Sequence, residues 1–283
     1  MASSIRRTDL LQLSGLRNDG RRPHEIRRMR VQLGPVGDCV PQNPVGGSAL
    51  VEMGLTIALA TVVGPIECVR RSDELHDRAM IDCSIKLAPF AGADRRIANP
   101  NTDRRLIELQ QQLQKALEAT ILTQLYPRNR LKISVAILAD DGSKLCAAIN
   151  AASAAIVDAG IPTKDILVAC SAGYSGGDDD LPLVDLNRQE ESARYGRHPV
   201  HLPVAMLPQR GTLVLSQCEA RLPNFEVLDK VLEAAQAGCR AVFDVLQASL
   251  RERAEVLMGL RNGHGTIVDS FAVKKALEAM EEE

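Results

Sequence analysis

The sequence predicts an α/β fold in two βαβ-like halves, over about residues 20–127 and 128–255. Three observations carry that expectation. Short β-branched runs alternate with helix-length segments along most of the chain. The stretch from Leu131 to Gly173 reads in succession as strand, polar turn, helix and strand. From Asn224 to about Leu260, apolar residues recur at helical spacing.

Taken in order, residues 1–14 read as a loose arm that orders against a neighbour. Arg21, Arg22, Arg27, Arg28 and Arg30 then form a basic cluster, whose bland reading is a solvated entry to the first strand. Gly47 to Gly64 reads as a strand pair turning near Met53-Gly54 and ended by Gly64-Pro65. Cys68 to Arg78 is a polar loop, and Ile81 to Leu87 another strand.

Asp103 to Tyr126 has the clearest amphipathic pattern, with Leu106, Leu109, Leu113, Leu117, Ile121 and Leu125 three or four residues apart. Asp103 suits an N-cap and Pro127 stops the helix. Arg104 and Arg105 fall in the first turn, where the helix dipole disfavours cations. Either a surface salt bridge or a use beyond folding accounts for them.

In the central stretch, Ile133, Val135, Ile137 and Leu138 mark a buried strand. Asp140 to Lys144 is a polar turn, and the Ala-rich run from Leu145 to Ala159 is a helix smooth enough to be buried all round. Gly160 and Pro162 end it, and Ile166 to Cys170 is the next strand. The helix start at Gly142 to Lys144 presents unpaired N–H groups, a generic anion site; the bland alternative is a helix start without a ligand.

Leu183 to Glu191 carries the best-placed carboxylates, while Asp178-Asp179-Asp180 reads as a solvated loop. Leu202 to Met206 and Thr212 to Cys218 form a hairpin through Gln209-Arg210-Gly211. In the last helix Leu228, Val231, Leu232, Ala235, Cys239, Val242, Leu246 and Leu250 share a face. Asn262 to Gly265 breaks it, and residues 256–283 make a C-terminal helix or tail.

With 283 residues, 45% hydrophobic and 25% charged, the composition is that of an ordinary globular protein. Aromatics are 2%, so the core must be aliphatic. A net charge of −2 excludes a wholly basic coat but permits a local basic patch. Seven scattered cysteines include no C-x-x-C, which argues against a zinc ribbon and for reduced core thiols of an intracellular protein. The N-terminus lacks a secretory apolar segment, and no apolar run is long enough to span a membrane.

The string GSKLCAAINAASAAIVDAGIPTKDILVACSAG resembles the core signature of the RNase PH family, in the version carried by the exosome ring. Three further segments agree in order and spacing: GLRNDGRRPHEIR from Gly15, GSALVEMGLTIALATVVGP from Gly47 and LPVAMLP from Leu202. The similarity spans about residues 15–255 and implies one RNase PH-type domain, of the ribosomal protein S5 domain 2-like kind, with mixed sheet packed on helices. It also implies single-stranded RNA as ligand rather than DNA or membrane. The implied partners are other RNase PH-type ring subunits, cap subunits and a hydrolytic nuclease. The implied location is nucleus, nucleolus and cytoplasm.

Active members use inorganic phosphate to cleave the terminal phosphodiester and release nucleoside diphosphates. By resemblance, Gly142, Ser143, Lys144 and Leu145 form the phosphate loop, Asp185 and Glu191 the metal-binding acid pair, and Arg104 and Arg105 the RNA clamp. Arg70 and Arg71 would line the pore neck. Guanidinium forks suit phosphodiester oxygens and hold RNA without reading its sequence.

The loop departs from the active pattern. Its arginine position is Leu145, which cannot hold phosphate, and Lys144 points about 100° away on helical geometry. Asp140 adds a negative charge where the family has Ala. The second acid is Glu191 in place of Asp. Asp185 and Glu191 thus read either as a vestigial metal pair or as a strand end and a solvated turn. The expectation is a non-catalytic, RNA-threading ring subunit needing no cofactor. The alternative is an active, Mg²⁺-assisted 3′–5′ exoribonuclease in which Lys144 or a partner's arginine replaces the lost one. An unrelated small-molecule enzyme on the same fold does not account for four matching segments.

Overall fold

In the computed structural model, residues 16–17, 19–36, 46–68, 75–92, 103–174, 181–191, 200–218 and 224–261 are described. Within them the β-branched runs form nine strands in two sheets. The first sheet has the order β1 (Met29–Leu33), β2 (Gly47–Met53), β3 (Thr56–Glu67), β5 (Asn129–Ala139), β4 (Met80–Leu87). Its neighbours are antiparallel except β4 and β5, which run parallel. The second sheet, β7 (Pro182–Val184), β6 (Val168–Tyr174), β8 (Val200–Leu207), β9 (Thr212–Ser216), is antiparallel throughout.

The expected mixed α/β class is found, but its internal division moves. Helix α1 (Arg104–Thr120) connects the parallel β4 and β5, a βαβ unit that runs across the expected boundary at 127/128. The central strand-helix-strand stretch is not a second such unit. Its strands β5 and β6 belong to different sheets, and α2 (Lys144–Asp158) lies between them, touching β2, β3, β5, β6 and β8. The alanines make this possible, since every residue from Leu145 to Ile156 is buried. Asn150 fastens the helix to the second sheet: its side-chain amide donates to the Ala169 carbonyl at 2.9 Å and its oxygen accepts the Ala169 N–H at 2.8 Å. At the other end, a Cβ on Gly47 would stand 2.3 Å from the Ala159 nitrogen, so only glycine admits that contact with β2.

Two element ends differ from expectation. Strand β3 does not stop at Gly64-Pro65. Its register with β5 shifts between Val63 and Ile66 and pairing resumes to Glu67, a bulge that accommodates a residue lacking an N–H. Helix α1 stops at Thr120 rather than Tyr126. Ile121 is buried by bridging to Thr163, and Leu125 is exposed in a short 3-10 turn. The apolar period thus continued past the helix because Ile121 is buried by strand-like pairing. Asp103 caps α1 as expected, accepting the Arg105 N–H at 3.2 Å.

Helix α4 (Phe225–Arg261) runs unbroken through position 255 and packs on β1, β6, β7 and β8 through Val231, Ala235, Cys239, Val242 and Leu246. Cys83, Cys146, Cys170 and Cys239 are buried free thiols, as the sequence suggested, and burial pushes Cys83 and Cys239 up to about 12. No helix among the described residues is long and apolar enough to cross a membrane. The arm at 1–14, Arg70, Arg71, Asp178 to Asp180 and the segment after Arg261 lie outside the described residues.

Candidate active site

The turn after β5 is held from two sides. Thr56 of β3 accepts the Asp141 N–H at 3.0 Å and donates to the Gly142 carbonyl at 2.9 Å. Gly142 adopts φ +92°, and a Cβ there would lie 2.7 Å from the Arg188 nitrogen. That close approach lets the Arg188 N–H reach the Asp141 carbonyl at 2.9 Å. The turn after β5 and the acidic segment after β7 are therefore one packed unit.

Ser143 is left-handed (φ 53°, ψ 36°) and its side chain does not cap α2. Its hydroxyl donates to the Leu186 carbonyl at 3.0 Å and lies 2.5 Å from the Ser171 hydroxyl. Its backbone N–H donates instead to Glu191 Oε1 at 2.6 Å. Lys144 is paired with Asp140 at 3.2 Å. Leu145 is 6% exposed and belongs to the hydrophobic core, so its position supplies no cation.

Asp185 is wholly buried, with φ 53°. Arg27 takes both of its oxygens: Nε to Oδ2 at 3.0 Å, Nη2 to Oδ1 at 2.8 Å, and the Arg27 backbone N–H to Oδ2 at 2.9 Å. Arg27 Nη1 donates to the Asp141 carbonyl at 2.9 Å. Burial opposes the Arg27 charge, but the hydrogen bond and field of Asp185 outweigh it and raise its pKa. The expectation of a solvated basic cluster is therefore wrong for Arg27, although Arg22, Arg28 and Arg30 are exposed. Nor is Glu191 on a solvated turn. It ends the one-turn helix α3 (Arg188–Glu191), half-buried, 3.3 Å from His201 Nε2.

A second buried pair was missed in the sequence. Arg17, with no exposed surface, donates Nε to Glu190 Oε1 at 2.8 Å and pairs through Nη2 with Glu190 Oε2. Glu190 Oε2 accepts the Asn187 N–H and Asn187 Oδ1 accepts the Glu190 N–H, at 2.9 Å each, a reciprocal cap of α3. The spacing Asn187-x-x-Glu190 was a legible signal for that cap; the arginine 173 residues away was not.

Divalent-metal binding does not fit these residues. Both Asp185 oxygens are engaged by a guanidinium, and Glu191 is turned to the Ser143 amide. Among the described residues no group of three metal-ligating side chains is gathered.

Arg104 and Arg105 are exposed on the first turn of α1, and neither side chain meets a carboxylate among the described residues. Among the described residues no hydrogen bond or ion pair ties either side chain to the acidic cluster.

Burial pushes the Glu191 carboxyl up to about 7, with Asp140 adding to the rise and the Ser143 N–H and Lys144 opposing it. Burial likewise raises Asp141, helped by Asp19 and Asp140 and opposed by Arg27. A carboxyl raised from 4.5 to about 7 in the folded state stabilises the fold fully below pH 4.5, and that contribution is lost as pH rises through 7. Glu191→Gln has no such dependence. Its melting temperature relative to the parent is expected to climb between pH 5 and pH 8, by an amount corresponding to at most about 3 kcal/mol. A difference that stays constant across that range would place Glu191 at an ordinary pKa.

Residues 25–162 match the family described as 3′ exoribonuclease family, domain 1, RNase PH. Over 256 residues the chain is 40% identical to exosome complex component RRP41 of Bos taurus, covering 89% of this chain and 98% of that protein. The chain belongs to the RNase PH family. This RNase PH chain is also 37% identical over 244 residues to the RRP41 homolog of Arabidopsis thaliana, covering 86% and 95% of the two. Among solved structures, rice Rrp46 superposes with a TM-score of 0.70 at 26% identity, over 83% of this chain and all of that one. The Archaeoglobus fulgidus exosome with RNA bound to the active site superposes with a TM-score of 0.65 over 82% and 92%, at 22% identity, a likeness of fold.

Proposed function

We propose that this RNase PH chain is a core subunit of the RNA exosome ring that threads single-stranded RNA without cleaving it. One observation carries the reading. The position that should grip the attacking phosphate is Leu145, packed in the core, while the neighbouring cation Lys144 is engaged by Asp140. The names of its relatives, exosome complex component RRP41, support the ring assignment.

In this reading the chain pairs with a second RNase PH-type subunit, and the ring meets cap subunits and a separate hydrolytic nuclease that does the cutting. It acts in nucleus, nucleolus and cytoplasm, in rRNA maturation and mRNA decay, and needs no cofactor. The alternative, an active phosphorolytic enzyme using Lys144, is disfavoured by the Lys144–Asp140 pair.

RNA contact falls to Arg104 and Arg105, exposed cations with no structural partner among the described residues. Arg104→Glu/Arg105→Glu is expected to weaken RNA binding by the assembled ring. It should also flatten the dependence of log K on log salt by roughly 1 to 1.5, since each phosphate contact on a single strand contributes about 0.7. An unchanged affinity and slope would remove both residues from the RNA path.

A further inference from the structure

We propose that Glu191 is a built-in occupant of the α2 N-terminus, closing this chain to inorganic phosphate by occupancy as well as by the apolar residue at 145. The inference rests on the non-catalytic reading above.

A helix N-terminus favours an oxyanion because its N–H groups are unpaired and the dipole is positive there. The usual intramolecular acceptor is the side chain of the capping residue. Here that side chain is diverted, because the Ser143 hydroxyl is spent on Leu186 and Ser171. The N-cap's own N–H, which its hydroxyl could not cap in any case, meets a carboxylate oxygen of Glu191 at 2.6 Å. That same oxygen lies 3.3 Å from His201 Nε2, and the Lys144 ammonium is close enough to bias its charge. An amide N–H, an imidazole and a nearby ammonium are the donors a phosphate oxygen would use.

The arrangement is set by the fold and not by a wandering surface side chain. The first residue of α3 is pinned to the loop through Arg188 N–H and the Asp141 carbonyl, at 2.9 Å. The residue before Glu191 is clamped by the buried Arg17. The carboxyl group occupies the place in either protonation state. A phosphate entering would have to displace it with Asp140 and Asp141 alongside.

The test titrates inorganic phosphate into the full-length chain at constant ionic strength, following the Ser143 amide by NMR and the melting temperature. Leu145→Arg restores the cation while Glu191 stays in place; Leu145→Arg/Glu191→Ala also vacates it. The double variant is expected to bind phosphate at least about tenfold tighter than the single one. Equal binding by the two, or binding by neither, overturns the occupancy and leaves the non-catalytic reading standing. Because arginine at a core position can prevent folding, Glu191→Ala and Glu191→Gln are compared with the parent in the same titration. Glu191→Ala is expected to gain a phosphate response at the Ser143 amide that the parent and the Gln variant, whose carbonyl fills the same place, do not show. A parent response equal to that of Glu191→Ala, or no response in either, sinks the proposal. Phosphate-dependent nucleoside diphosphate release by the unmodified assembly overturns the non-catalytic reading instead.

Discussion

Asp185→Ala is expected to destabilise the protein by roughly 3–5 kcal/mol, the cost of leaving one member of a buried ion pair without its partner. The stranded group is Arg27, 6% exposed, with Nε, Nη2 and its backbone N–H all directed at the missing carboxylate. Folded domains are stable by only about 5–15 kcal/mol, so much of the total is at stake. If Asp185 were chiefly a metal ligand, its removal would relieve repulsion with Asp140, Asp141 and Glu191, and stability would hold or rise. The two roles therefore predict opposite signs. Asp185→Asn should cost less, because asparagine keeps the shape and tolerates the left-handed backbone at φ 53°. Replacing both partners, Arg27→Met with Asp185→Leu, should recover part of the loss. Urea denaturation of the full-length chain decides it, and an Asp185→Ala midpoint equal to the parent's would return Asp185 to the metal-ligand reading.

How much of this was legible in the sequence depends on the range of the interaction. The turn and helix from Asp140 to Gly160 were read closely, because an alanine run, a C-terminal glycine and a nearby proline act locally. The two-sheet arrangement was not. A period-2 run reports that a strand is buried but not which strand it pairs with, so β5 and β6 looked like members of one unit. The α1 end was misplaced because burial of Ile121 by Thr163 continues a helical period without a helix. Within the site, positions 140 to 145 and the acids at 185 and 191 were in view. The arginines were not, since a charged residue reads as solvated until its partner is known, and the partners lie 158 and 173 residues away.

No phosphorolysis is expected from the unmodified chain assembled with its ring partner, and the physical reasons are cumulative. An arginine on phosphate gives a bidentate, charge-assisted contact. Losing one such transition-state contact costs roughly 10²–10³-fold in rate, by analogy with a lost oxyanion donor. Here position 145 faces the core, Lys144 is drawn to Asp140, and the α2 amide at Ser143 is already filled by Glu191. Each defect survives repair of the others, so the decisive measurement is a series: Leu145→Arg alone, then with Asp140→Ala, then with Glu191→Asp as well. The second change frees Lys144, and the third shortens the acid by one methylene and draws it back from the Ser143 N–H. Nucleoside diphosphate release from single-stranded RNA with Mg²⁺ and phosphate should be absent in the parent and in Leu145→Arg, and should emerge, if anywhere, in the triple variant. Release by the parent assembly that disappears in Asp185→Asn, a variant expected to stay folded, would establish an active enzyme and overturn the threading-only reading.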